Sequence, residues 1–204
     1  VTIAAKCVVL PKSSMRDYTQ LSPAAERIVD VAEALIQHQG FNGFSYEDIA
    51  QTVGIRKPSV HHHFATKADL ATVVTQRYVQ RFISALENLD RSIAEPRKRL
   101  LAYAQLFQET YNNNRHLCLC GMLGAESETL PASVREQLKQ FFEANLNWLK
   151  ATLVQARPER AASAQALAML LLSALEGAMI VGRSRPEADA PAQVAQAFLE
   201  QLSV

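Results

Sequence analysis

The sequence predicts an all-α chain, a small N-terminal three-helix unit followed by a larger helical region, and three observations lead there. Apolar residues recur at three- and four-residue intervals over long stretches, with no strand-like alternation of any length. The seven Gly and eight Pro are few and stand between those stretches, where they punctuate helices. Hydrophobic residues make up 49% and charged residues 20% of the 204 positions, enough apolar side chain for a core and too little charge for a disordered chain.

Each element has a local reason. Residues 1–21 show no period and are expected to form a flexible arm. Ser22 offers an N-cap and Pro23 a first helical residue. Ile28, Val31, Ala32, Leu35 and Ile36 follow at helical spacing until Gly40 stops the helix. Ser45 with Asp48 three residues on has the form of a capping box for a short second helix, and Gly54 suits the tight turn after it. Pro58 sits in the first turn of a third helix, from Lys57 to about Phe64, and Thr66 caps a fourth that runs from Lys67 to about Leu89. Pro96 opens a fifth helix, which Asn112-Asn113-Asn114 breaks. After a short segment from His116 to Glu128, Pro131 and Pro158 each start a long helix. Pro186 and Pro191 flank the last connection, to a helix over Ala192–Leu202. The expected organisation is an arm (1–21), a three-helix domain (22–68) and a C-terminal domain (69–204).

Composition removes several function classes. The formal net charge is +1, so a nucleic-acid partner cannot be read from bulk charge and must rest on local geometry. The three Cys, at 7, 118 and 120, are not a secreted disulfide framework. Val1–Leu10 is apolar but carries Lys6 and lacks a cleavage pattern, so no signal peptide is expected, and Met15 is a candidate natural start. The run Leu167–Val181 is interrupted by Glu176 and short for a membrane span. A cytoplasmic protein with no membrane partner is the expectation.

The stretch from Phe44 to Leu70 carries the functional signal. Ile49, Ala50, Val53, Ile55, Val60 and Phe64 supply a small core for two helices joined at Gly54, a helix-turn-helix whose later helix can lie in the major groove of DNA. Between Ile49 and Ala68 the charged residues are Arg56, Lys57 and Lys67, with no acid, which suits a phosphate surface. Ser45, Tyr46, Arg56, Lys57, Ser59, His61, His62 and Lys67 form the expected DNA-contact set. Lys67, at a helix N-terminus, is assigned to phosphate; Lys57, Ser59, His61 and His62 are assigned to the major groove. The His61-His62-His63 triplet is not a metal site, because consecutive helical residues point about 100° apart. No cofactor is expected.

This stretch resembles the tetracycline-repressor (TetR) family of regulators. The family's pattern is a Gly turn, a Thr or Ser before an apolar residue, then an aromatic-x-His-Phe run and a Lys. It is matched by Gly54, Ser59, Val60, His62, His63, Phe64 and Lys67, with His61 where the family usually has Tyr. The match covers about residues 23–70 by motif and the remainder by helix count and length. It implies a C-terminal ligand-binding and dimerisation domain, a homodimer on a palindromic operator in double-stranded DNA, and release by a small-molecule effector.

By that resemblance the effector pocket lies among the middle helices, with Phe107, Tyr111, Met122, Phe142, Trp148 and Met179 as candidate lining and plain core packing as the alternative for each. Few charges are expected to be buried there, which points to an apolar or aromatic effector. Cys118 and Cys120 join the candidates under three readings: buried apolar residues, thiols sensing electrophiles or oxidants, or soft-metal ligands. The dimer contact is expected on about Glu159–Val181 and Ala192–Leu202, through Leu167, Leu171, Ala174, Ala178, Val181 and Phe198, since an apolar helix with several apolar faces exceeds what one subunit can hide. A central helix fully buried in the monomer is the alternative. Two other functions compete with this one. An enzyme using His and Cys has no supporting motif, since no phosphate loop, nucleophile elbow or metalloprotease spacing is present. A structural DNA binder would bind any duplex rather than one palindrome.

Overall fold

The computed structural model describes residues 21–185 and 188–202, so residues 1–20 of the expected arm, with Cys7, and Pro186 lie outside the described residues, while Leu21 packs against the core. Within these bounds there are nine α-helices and no strand.

α1 (Pro23–Gln39) starts where Ser22 Oγ accepts the Ala25 N–H at 3.3 Å. It buries Ile28, Val29, Ala32 and Ile36. Gly40 ends it at φ +81°, a left-handed value that a side chain rarely adopts. α2 (Tyr46–Val53) opens on the expected capping box: the Ser45 N–H and Oγ both donate to Asp48 Oδ2, at 2.7 and 2.8 Å. Gly54 closes it in the αL region, and α3 (Lys57–His63) follows after two residues. Ile49, Val60 and Phe64 pack between the two helices, and Tyr46 Oη donates to the Phe64 carbonyl at 3.0 Å, pinning the start of α2 to the end of α3.

A second capping box, Thr66 with Asp69, opens α4 (Lys67–Ser92), which runs three residues past the expected end. α4 ties the first helix to the rest: Arg77 pairs with Asp30 at 2.6 Å and Glu33 at 3.0 Å, and Arg81 pairs with Glu33. α5 (Pro96–Asn112) and α6 (Leu119–Ala125) follow, then a 3-10 turn (Ser127–Thr129), α7 (Ala132–Ala156), a second 3-10 turn (Pro158–Ser163), α8 (Ala164–Ser184) and α9 (Ala190–Leu202). α7 packs on α4 and α8, α8 on α9, and α9 returns to α5, closing a bundle. Its centre is aromatic. Phe82 lies 5.0–6.3 Å from the rings of Tyr78, Tyr103, Phe107 and Phe141, spacings at which such pairs attract beyond their area burial.

α8 is neither fully buried nor apolar toward a partner in the way the sequence suggests. Ala168, Leu171, Leu172, Leu175, Ala178 and Met179 face the subunit's own core. The opposite side exposes Met169 (50%), Leu170 (56%), Ile180 (56%) and Val181 (55%), one stripe at helical spacing. Of the expected contact residues, Leu171, Ala178 and Phe198 are therefore core residues of the monomer, Leu167 and Ala174 are half-buried, and Val181 lies on the open stripe. Pro158–Ser184 is long and apolar enough to cross a membrane by length and composition, and one of its apolar sides packs in the bundle against α7 and α9.

Candidate nucleic-acid interface and its link to the C-terminal helices

The open surface of the helix-turn-helix is built by the turn and by α3. Arg56 is the N-cap residue of α3 and Pro58 sits in its first turn, so Arg56, Lys57 and Ser59 cluster at the helix N-terminus, where the backbone dipole adds to their charge. All three are exposed, as are His61 and His62. His61 lies edge-on to the Tyr46 ring, centroids 4.7 Å apart, with its Nδ1 3.3 Å from the Ala65 carbonyl. The His62 ring lies edge-on to that of His63, centroids 5.5 Å apart, and His63 is half-buried. Only Val60 of α3 is buried, so the helix presents almost its whole circumference outside the domain.

Two expected contacts are placed elsewhere. Tyr46 is buried, its hydroxyl spent on Phe64, and burial pushes its pKa up. Lys67 turns inward: its Nζ donates to the Phe44 carbonyl and lies 4.0 and 4.8 Å from the centroids of Phe44 and Phe41, and burial lowers its pKa. An ammonium over two ring faces and on a carbonyl is stabilised locally, so Lys67 serves the packing of the α1–α2 loop. Lys67→Ala is therefore expected to lower stability by about 1–2 kcal/mol, from the lost hydrogen bond and ring contacts. The salt slope of DNA binding should stay unchanged rather than fall by the ~0.9 that one phosphate contact carries. Thermal denaturation and a salt titration separate the two; an intact melting curve with a flatter slope would restore the phosphate assignment. Ser45 is exposed and held by Asp48, whose pKa these hydrogen bonds depress.

The loop between α1 and α2 is also held from the C-terminal side. Glu126, just past α6, accepts the Phe41 N–H at 2.5 Å, and the Asn42 N–H and Nδ2 at 3.1 Å each. Asn42 Nδ2 also donates to Thr129 Oγ1 at 3.0 Å. A Cβ on Gly40 would stand 2.8 Å from the Glu126 carboxylate, so glycine is needed there for space as well as for φ. Arg183, at the end of α8, donates to the His38 carbonyl at 2.5 Å, and the Leu117 N–H donates to the Gln37 carbonyl at 3.3 Å. α6 and α8 thus grip the end of α1 and the loop that carries Phe41 and Phe44, on which Lys67 rests. Sequence reasoning missed Glu126 and Arg183, because their partners lie some 85 and 145 positions away.

The expected effector residues are mostly packed. Phe107, Tyr111, Cys118, Cys120 and Met179 are fully buried, and Met122, Phe142 and Trp148 are half-buried. Trp148 stacks on Tyr103 and donates to Asp90 at 3.0 Å. Neither of two surface clefts is lined by any of them. One, of about 600 Å³, lies between α5 and α9 at Leu101, Gln105, Gln193 and Gln196. The other, of about 180 Å³, lies between α4 and α5 with Tyr78 and Phe82 in its wall. Burial pushes both the Cys118 and Cys120 thiols up, away from thiolate. Among the described residues no group of three or more His, Cys, Asp or Glu could hold a metal ion.

Known proteins agree with this architecture. Residues 28–74 match the family described as bacterial regulatory proteins, tetR family. Residues 96–197 match the C-terminal domain described as transcriptional regulator LmrA/YxaF-like. The crystal structure of a TetR-family transcriptional regulator from Agrobacterium tumefaciens is 31% identical, with a TM-score of 0.82 over 87% of this chain and 96% of that one. A TetR regulator from Legionella pneumophila is 30% identical, with a TM-score of 0.81 over 90% and 99%. The HTH-type transcriptional activator FasR of Mycolicibacterium smegmatis is 27% identical over 81 residues, 40% of this chain and 37% of that protein's length. With a helix-turn-helix opening on α3, a helical C-terminal domain behind it and these relatives across nearly the whole fold, the chain belongs to the TetR family of transcriptional regulators.

Proposed function

We propose that this regulator is a repressor that holds a palindromic operator as a homodimer and lets it go when a small-molecule effector binds among the C-terminal helices. The observation that carries the reading is the Glu126 grip on Phe41 and Asn42, which makes the DNA-reading unit mechanically dependent on α6. An effector acts only through its differential affinity for two arrangements of that contact. Arg56, Lys57, Ser59, His61 and His62 are the DNA-facing residues, and residues 22–68 and 69–204 are the reading and sensing domains, with α4 shared between them. The dimer forms through the exposed α8 stripe, setting two α3 helices roughly 34–36 Å apart or at a multiple of that. The thiol-sensing alternative is not favoured, because a reactive thiol needs exposure and a lowered pKa, and Cys118 and Cys120 have neither.

The test is selection of binding sites from a randomised duplex library by the full chain. A two-fold symmetric sequence is expected to be enriched. On that site Lys57→Ala or His62→Ala should cost roughly 1–3 kcal/mol, less on random duplex, if each reads a base edge. Enrichment of no sequence over random duplex would overturn specific regulation and leave a structural DNA binder.

A further inference from the structure

Glu176 is a half-buried acid whose carboxyl end is enclosed and which the rest of the fold does not use. It sits in the middle of α8, on the side turned to α6, and its Oε1 has no hydrogen-bond partner. α6 gives it room: a Cβ on Gly121 would lie 2.2 Å from Glu176 Oε2, so α6 presents bare backbone to the carboxylate. Beside it stands Cys118, whose Sγ receives the Tyr78 hydroxyl at 3.6 Å. Tyr78 and Tyr103 both feel its charge, and both belong to the aromatic cluster with Phe82, Phe107 and Phe141. Tyr78 and Phe82 also line the cleft between α4 and α5. Tyr78 and then Cys118 therefore link the wall of that cleft to a carboxylate whose Oε1 is left without a partner.

Cys118 is the one side chain that hydrogen-bonds this carboxylate among the described residues, and an enclosed oxygen left without a partner is destabilising unless one arrives. The surrounding donor set decides which partner. A single carboxylate among neutral thiol and phenol groups offers one negative charge and no ligand cage, and aromatic faces around it favour a cation on an apolar body. We infer that Glu176 anchors the effector, and that the effector is an organic cation, a protonated amine or amidine carried on an apolar or aromatic body, admitted past Tyr78 from the α4–α5 cleft. This deepens the effector-responsive reading and rests on it. It adds a cationic group to the apolar or aromatic effector expected from sequence, where Glu176 is only a break in a hydrophobic run. Burial holds the Glu176 pKa up at about 7, so the carboxyl is poised to lose its proton when a cation arrives. The anchor lies against α6, the helix that leads directly to Glu126, so occupancy bears on the contact that holds the reading unit.

The test uses benzylamine and 2-phenylethylamine as probes, with benzyl alcohol and benzoate as neutral and anionic counterparts, on the full chain, on Glu176→Gln and on Glu136→Gln, an exposed acid of α7. Circular dichroism first confirms that the near-isosteric Gln variant is folded. The amines are expected to bind the parent by calorimetry and raise its melting temperature above the effect of the alcohol and benzoate. Their affinity should fall by at least about tenfold in Glu176→Gln, as for a lost charge-assisted hydrogen bond, and stay level in Glu136→Gln. Equal binding of amine and alcohol, equal loss in both variants, or no loss in Glu176→Gln overturns the anchor. A second arm follows release of the selected operator. Amine binding without release upholds the anchor and overturns effector release, so the two readings fail separately.

Discussion

Ile180→Arg is expected to turn a dimer into a monomer and to abolish tight operator binding with it. Met169, Leu170, Ile180 and Val181 form an apolar stripe on one side of α8, while its other side fills the subunit core. Gly177 lies midway along the helix, and a Cβ added there would meet nothing within 4 Å. A small residue at the middle of an exposed apolar face lets a second helix approach closely across a two-fold axis. An Arg at 180 would be buried unpaired on association, at a cost of about 3–5 kcal/mol, which weakens the dimer some hundred- to several-thousand-fold. Each subunit carries one reading unit, so a monomer keeps only half of the operator contacts. Sedimentation equilibrium reads the dissociation constant. A variant that dimerises as tightly as the parent would place the interface elsewhere. Ala178→Arg is a different experiment despite its neighbouring number. Ala178 faces the subunit's own core, and a charge there is expected to unfold the subunit rather than separate two folded ones.

Glu176 should make the protein lose stability as pH rises from about 4.5 to about 7. Its carboxyl titrates ordinarily at 4.5 and is raised to about 7 by burial, with Cys118 opposing the rise. Between those values the folded state holds a proton that the unfolded chain has released. Stability contributed by the neutral acid is therefore complete below the lower value and is lost as pH climbs through the upper one. The span amounts to roughly 3 kcal/mol at 1.36 kcal/mol per pH unit. The groups around it do not titrate in this window, since burial raises Tyr78, Tyr103, Cys118 and Cys120 alike. His116, lowered by burial, contributes a slope of opposite sign, so the comparison is parent against Glu176→Gln. Urea denaturation across this range should show the parent's stability falling relative to the variant's. Parallel curves would mean that the carboxyl is solvated or paired in the folded state.

The sequence by itself determined what depends on near neighbours. Ser22, Ser45 and Thr66 cap helices because each side chain reaches a backbone N–H or a carboxylate about three residues away, and the capping box at Ser45 and Asp48 formed as its spacing requires. Gly54 gave the left-handed turn, and the cations before and within α3 stayed on the surface because nothing apolar competes for them. Tertiary structure decided everything that rests on distant partners. Lys67 reads as a phosphate ligand until Phe41 and Phe44 are folded beneath it. Glu126 is an unremarkable surface acid until Phe41 and Asn42 come within hydrogen-bond reach. The face that α8 leaves open is hidden in a run apolar on every side, and packing, chiefly against α7 and α9, selects which residues remain outside. Glu176 is the sharpest case. Along the chain it is one charge in a hydrophobic helix, and the approach of α6 at Gly121, with Cys118 beside it, encloses its carboxyl. Caps and periodicity are fixed within one or two helical turns, whereas burial of a charge and the choice of an open face depend on how whole helices are placed against each other.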